Sequence, residues 1–408
     1  NRHTTWWKEA EAFIRYMNRV SFMLSQGLFK ADVLYYYGDD VPNFIFLKEE
    51  VKDLGMGYDW DKCSYDVLMD RISVRDGKIL LPDGMTYSIL VLPDETSIRV
   101  TLLRKLEKLV NQGMVLVGPR PKKATGLTDY PESDSEVLEI AQRLWGAETE
   151  ESIDRIVGKG RVFSGVRPAE VLRLLGIEPD FSWSSPYEDT HLEYIHRSTP
   201  GEEIYFVVNR LARHGINDMK YRYLPDLPDR FEEVTAKFRI TGKVPELWDP
   251  MSGKIERAVA YREENGFTEV LLHLPPEGSC FVVFRDKEAE KHIVRIEKDG
   301  DLLFPGNPGL PGMFPSFRLE VTENNLTNVV ANSGTYKLTW SDQTVTELES
   351  LEKWSEKKVT SPWSLRFEES WGPRDTLIAD KLAFWDSSTD DRVKYYSGRA
   401  FYSTMFSL

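Results

Sequence analysis

Two cysteines, Cys63 and Cys280, are all that this 408-residue chain holds. That excludes a disulfide framework. Neither has a CxxC neighbour or a nearby histidine, so a thiolate metal site is not indicated. Cys280, in "GSCFVVF", reads as a small buried hydrophobe. Cys63, in "WDKCSYDVL", is placed on a predicted helix. No apolar run approaches the roughly 18 residues of a membrane span. Positive charge is scarce: 52 Lys and Arg against 66 Asp and Glu, a net charge of −14 with no basic cluster. Nucleic acid is therefore not an expected partner, since phosphate binding needs clustered cations.

The common catalytic and nucleotide-binding motifs are also missing. The first predicted strand, "ADVLYYY" (31–37), is followed by "GDDVPNFIFLKEE" without a GxGxxG turn. GKS, GKT and GxSxG do not occur. The strand "MVLVG" (114–118) runs into "PRPKK", with no nucleophilic cysteine at the turn. The six histidines are not paired at metal spacing, and His191 and His196 read as incidental. Among the carboxylates, "GDD" (38–40) is the best placed. It lies at the carboxyl end of the first strand, where α/β sheets bind ligands, although a polar turn explains it as well.

What is present is 41% apolar and 29% charged residues, ample for several cores. Apolar residues at helical spacing predict an amphipathic helix over 6–27, capped by Thr4 or Thr5 and stopped by Gly27. Buried strands "ADVLYYY", "SILVLPD" (88–94), "MVLVGPRP" (114–121) and "GKGRVFSG" (158–165) alternate with helices at 62–72, 97–113, 134–146 and 168–176. Asp134 is the expected cap of the third of these helices. That rhythm predicts an α/β domain with a mostly parallel sheet over 31–190. Short alternating strands then predict a small all-β domain over 191–286. Residues 287–408 read as an irregular linker followed by an incomplete β-sandwich. The fold class expected is thus multidomain α/β plus all-β. Most of the eleven tryptophans are assigned to cores, although Trp-rich surfaces also suit the C–H faces of sugars.

The stretch "TTWWKEAEAFIRYMNRVSFMLSQGLFKADVLYYYGDD" resembles a junction in large multidomain glycoside hydrolases. There, the last helix of a (β/α)8 barrel leads into an α/β domain similar to class I glutamine amidotransferases. "DGMTYSILVLPDETSIRVTLLRKLEKLVNQGMVLVGPRP", "YPESDSEVLEIAQRLWG", "FRITGKVPELWDPMSGKI" and "PEGSCFVVF" continue the likeness in order, and "VKYYSGRAFYSTMFSL" resembles the opening of a flanking β-sandwich. The family resembled is glycoside hydrolase family 106, the α-L-rhamnosidases.

The resemblance implies an amidotransferase-like, flavodoxin-like α/β domain and a carbohydrate substrate. It also implies two catalytic carboxylates, roughly 6.5–9.5 Å apart for inversion, and a calcium site. The acids and the calcium are expected on the catalytic barrel, upstream of Asn1, and no residue of this sequence matches them. The chain, which opens "NRHTTWW" without Met, is therefore expected to be an accessory portion carrying only the last barrel helix (1–30). Loops at the carboxyl face of such a barrel build its active site, so Arg2, His3, Trp6 and Trp7 become the candidate substrate-binding residues. The tryptophans could equally pack the helix. An extracytoplasmic location is implied by resemblance only. Two other readings stay open: a non-catalytic carbohydrate-binding or scaffolding module, and part of a β-galactosidase-type glycosidase.

Overall fold

The computed structural model describes residues 6–39, 51, 53–147, 152–209, 231–306, 317–322, 325–331, 333–350, 358–368 and 372–407. The chain divides into two compact units. One comprises Met23–Asp249 with Lys254–Ser350, and the other Asn1–Phe22, Pro250–Gly253 and Leu351–Leu408.

The larger unit begins with a six-stranded sheet in the order Ile153–Val157, Gly160–Ser164, Val115–Val117, Ile89–Val91, Val33–Tyr36, Trp60–Cys63. Five strands run parallel, and Ile153–Val157 closes one edge antiparallel to Gly160–Ser164. Its central strands are apolar on both faces because both are covered. Leu34, Leu90, Leu116 and Val162 point into a core with the helices Val100–Gln112 and Glu132–Trp145. Val33, Ile89, Val91, Val115 and Val117 point the other way, onto Val171 and Leu172 of Pro168–Leu174. Trp145 is buried against the sheet, and its indole N–H donates to the Gly118 carbonyl at 3.0 Å.

Two local expectations change here. Cys63 ends the edge strand Trp60–Cys63, and the helix begins only at Tyr65. The apolar residues of "KCSYDVLMDRI" satisfy both patterns, and pairing with Val33–Tyr36 decides for a strand. Asp134 does not cap the helix Glu132–Trp145. Pro131 holds the cap position, and the Asp134 carboxylate accepts the Ala124 N–H at 2.8 Å instead.

Two antiparallel sheets follow, face to face. One runs Leu28–Phe29, Leu192–Ser198, Glu202–Asn209, Ser279–Arg285, Val244–Trp248, Ile255–Arg257. The other runs Phe181–Ser184, Glu232–Phe238, Phe267–Leu274, Tyr261–Glu264. Inward residues of both, among them Phe181, Tyr194, Tyr205, Phe238 and Phe284, form their shared core. Leu28–Phe29 joins this sandwich before the chain enters the parallel sheet, pairing with Ser198 and Arg197.

Residues read as irregular linker contain a further four-stranded sheet: Asp301–Phe304, Ile293–Lys298, Gly334–Trp340, Val345–Ser350. Its core includes Ile293, Ile296, Phe304, Tyr336, Leu338 and Trp340. The Gly/Pro-rich insertion "NPGLPGMFPS" separates its strands in sequence and obscured their alternation.

The helix Glu11–Leu24, in the smaller unit as far as Phe22, follows a 3-10 turn at Trp7–Glu9. Phe13 and Met17, one turn apart, are 59% and 43% exposed. The Arg19 guanidinium donates to the carbonyls of Pro250 and Met251 at 3.0 and 2.8 Å. A three-stranded sheet, Leu377–Ala379, Trp363–Phe367, Ala400–Ser403, packs Leu365 and Phe367 onto Val393 and Tyr396.

Candidate functional site

Of the residues picked from sequence, Arg2, His3 and Asp40 lie outside the described residues. Trp6 and Trp7 sit at the 3-10 turn, 56% and 39% exposed. Asp39 is tied down: it accepts the Tyr36 hydroxyl at 2.8 Å and pairs with Arg99 at 2.8 Å, its side chain 4% exposed. The space at this carboxyl edge of the parallel sheet, near Leu92 and Pro119, holds about 10 Å³. Among the described residues, that space is far below the size usual in small-molecule sites, ~300–1,000 Å³.

A much larger open cavity lies at the opposite, amino edge, where the α/β layer meets the sandwich, and its volume is about 520 Å³. Asp32 and Ser88 stand one residue before the strands Val33–Tyr36 and Ile89–Val91, so the sheet delivers both to this edge. Asp180, His196, Glu203 and Arg239 come from the sandwich side. Arg239 Nη2 donates to both Asp32 oxygens at 3.0 and 2.9 Å, and Nη1 donates to the Glu178 carbonyl at 2.6 Å. The same guanidinium lies 3.6 Å from Asp180. His196 bridges Asp180, 2.8 Å from Nδ1, and Glu203, 2.9 Å from Nε2. Its ring stacks on Tyr205 at 3.9 Å, and the Tyr205 hydroxyl donates to Asp180 at 2.9 Å. Ser198 Oγ donates to the other Glu203 oxygen at 3.0 Å.

Electrostatics follow from burial and pairing. Burial opposes a charge on His196, but the Asp180 and Glu203 carboxylates overcome it and raise its pKa above the ordinary imidazole value. Asp180 is likewise pushed up by burial and pulled further down by His196 and Arg239, to a net value below the usual carboxylate range. Burial leaves Asp32 raised, with Arg239 opposing. His196 and Asp180 therefore form a buried ion pair, and Arg239 links it to Asp32 across the two layers.

Gly57 makes this junction possible. Its φ is +87°, and a Cβ there would stand 2.2 Å from the Phe181 carbonyl oxygen. Its own carbonyl accepts the Asp180 N–H at 2.8 Å and the Tyr194 hydroxyl at 3.0 Å.

These residues escaped the sequence reading, though one signal existed. In "LEYIHRS", Leu192, Tyr194 and His196 alternate onto one face, and two of the three are plainly core residues. A histidine in that register is buried and needs polar partners. Its partners, 16 and 7 residues away in the chain, carry no spacing that marks them.

The cluster is a charge-linked scaffold rather than a recognisable acid–base pair, and the comparisons with known proteins carry the assignment further. The family model described as alpha-L-rhamnosidase, glycoside hydrolase family 106, matches residues 1–263. The chain belongs to glycoside hydrolase family 106. The family 106 chain is also 35% identical over 292 residues to a protein of Formosa agariphila provisionally named a beta-glucuronidase, covering 71% of this chain and 22% of that one. Among solved structures it is similar to a rhamnosidase from Novosphingobium sp. PP1Y. The TM-score is 0.64 and the identity 26%, over 98% of this chain and 31% of that one. A family 42 beta-galactosidase matches at TM-score 0.41 and 10% identity over 70% of this chain and 44% of that one, too distant to carry an argument. This family 106 chain thus spans under a third of the length of the first two relatives. Among its described residues, no group of three or more His, Cys, Asp or Glu side chains is arranged to hold a metal ion, and no helix is long and apolar enough to cross a membrane.

Proposed function

We propose that this chain is the C-terminal accessory portion of a glycoside hydrolase acting on α-L-rhamnosides of plant or microbial glycans. The observation that carries the reading is the likeness to the Novosphingobium rhamnosidase over 98% of this chain but 31% of that protein. On this reading, hydrolysis proceeds with inversion by two carboxylates on a catalytic barrel encoded upstream. One protonates the leaving oxygen while the other activates water from the opposite face. Calcium, where the whole enzyme uses it, belongs to that barrel. The six-stranded sheet is the amidotransferase-like, flavodoxin-like layer, without a nucleophile of its own. The exposed Phe13 and Met17 of Glu11–Leu24 support packing of this helix against the barrel, with Trp6 and Trp7 toward its substrate end. An extracytoplasmic location fits a polysaccharide-degrading role.

The test compares this chain with the whole gene product on an aryl α-L-rhamnoside and an aryl β-glucuronide. Rhamnoside turnover by the whole protein alone, with β-L-rhamnose as the first anomer seen by NMR, is expected. Turnover by the 408-residue chain, or a preference for the glucuronide, overturns the reading.

A further inference from the structure

The cavity at the amino edge of the parallel sheet has an uneven charge inventory. Three of its five carboxylates are engaged, Asp32 by Arg239, Asp180 by His196, and Glu203 by His196 and Ser198, while Asp59 and Glu178 complete the acidic lining. Its lysines have fewer partners among the described residues. Lys78 Nζ makes one described hydrogen bond, to Ser88 Oγ at 2.7 Å, and no ion pair among the described residues. Lys30 lines the same cavity, and among the described residues its ammonium makes neither a hydrogen bond nor an ion pair. The two lysines repel: Lys30 and Arg239 both act to lower the pKa of Lys78. Lys78 is exposed as a residue, yet the packing around its ammonium is the larger cause of that lowering, with Asp32 pulling the other way. An ammonium carries three donors and no acceptor. Two neighbouring ammoniums with most donors unused among the described residues suit a ligand that brings acceptor oxygens and negative charge. Phe267, half-buried, adds ring surface to the lining. The volume of about 520 Å³ falls within the ~300–1,000 Å³ usual for small-molecule sites.

We propose that this cavity is a second, non-catalytic saccharide site that takes an acidic sugar, its carboxylate received by Lys78 and Lys30 and its ring laid toward Phe267. The site lies on the face of the sheet edge opposite to Asp39 and uses none of the tryptophans at the N-terminus. It rests on the reading of the protein as a glycan-processing enzyme, but its occupancy does not depend on which bond the enzyme cleaves. Its role would be to hold an anionic neighbour of the scissile residue, or another segment of the same polymer, near the catalytic portion.

The probe is D-glucuronate, titrated into the isotope-labelled 408-residue chain and followed by amide chemical shifts, with D-glucose as the uncharged control and acetate as the carboxylate without a ring. Glucuronate is expected to shift amides around Lys30, Lys78 and Ser88 and to bind at least about tenfold more tightly than either control. Added salt should weaken it. Lys78→Gln, at an exposed position, should leave the thermal midpoint unchanged and cost glucuronate about tenfold in affinity. Equal binding of glucose overturns the acidic specificity, and equal binding of acetate overturns the saccharide class. No binding of glucuronate, or binding indifferent to Lys78→Gln, overturns the site. None of these outcomes alters the rhamnoside turnover that tests the proposed function, so the two can fail separately.

Discussion

Replacing Arg239 with Met should show what joins the α/β layer to the sandwich. The side chain is 30% exposed, while its partners Asp32 and Asp180 are 9% and 8% exposed. Methionine keeps much of the stem and removes every donor to Asp32 and Glu178. Breaking a buried pair from one side costs about 3–5 kcal/mol, mostly because the remaining charge is stranded. Because Arg239 is partly solvated, the lower end, about 3 kcal/mol, is expected near neutral pH. The sign of the pH dependence follows from Asp32. Its folded pKa already lies above 3.8, so the folded state holds the proton more tightly than the unfolded chain. Stability therefore declines as pH rises from the unfolded value through the folded one. Without Arg239 that folded value climbs further, so the variant's penalty should be largest near about pH 7 and shrink toward about pH 4. Urea unfolding followed by tryptophan fluorescence, at both pH values, reads this directly. Asp32→Asn in the Arg239→Met background should recover part of the loss, since the stranded charge is gone. A penalty under about 1 kcal/mol, typical of an exposed ion pair, or one that does not change with pH, would refute the account.

Other outcomes follow from the same geometry. His196, whose folded pKa is raised, contributes stability that is full below about pH 6.5 and lost as pH climbs through its folded value. His196→Gln should flatten that alkaline decline in a series of thermal melts. Gly57→Ala, which forces a Cβ to 2.2 Å from a carbonyl oxygen at a positive φ, should cost at least about 1–3 kcal/mol of strain in chemical denaturation. Trp145→Phe removes the hydrogen bond to Gly118 and leaves a void beneath the sheet, an expected loss of about 1–3 kcal/mol by the same assay. Burial pushes the Cys63 and Cys280 thiols up to about 12. An aromatic disulfide reagent should therefore leave both unlabelled in the native chain near neutral pH and label both in denaturant.

Central elements of the α/β layer were legible because their pattern admits one solution. "SILVLPD" and "MVLVGPRP" are too short and too uniformly apolar for amphipathic helices, and turn residues punctuate them. Edges were less legible. Trp60–Cys63 mixes a polar and an apolar residue on each face, and Ile153–Val157 is mostly exposed. Local pattern could not tell either from loop. The sheet over 293–350 was hidden by an insertion between its strands. The cluster at the amino edge was invisible for another reason. Asp32, Asp180, Glu203 and Arg239 are ordinary surface residue types in sequence, and only the packing of a sandwich against a sheet edge makes them a buried network. The family likeness pointed instead to the N-terminal residues, where Trp6 and Trp7 stand exposed.

The two-residue strand Leu28–Phe29 has a bearing on the order of events during synthesis. Its partners Arg197 and Ser198 are translated some 170 residues later, and the Arg197 guanidinium also donates to the carbonyls of Gln26 and Gly27. A nascent α/β layer therefore emerges from the ribosome before the strands that pair with its entry segment, and those pairings form only once the sandwich has folded back beside it. A ribosome-stalled chain ending before the sandwich strands should present residues 26–30 to protease, and the released chain should protect them. The position of Leu28–Phe29 is thus set late, by the sandwich rather than by the sheet that follows it in sequence.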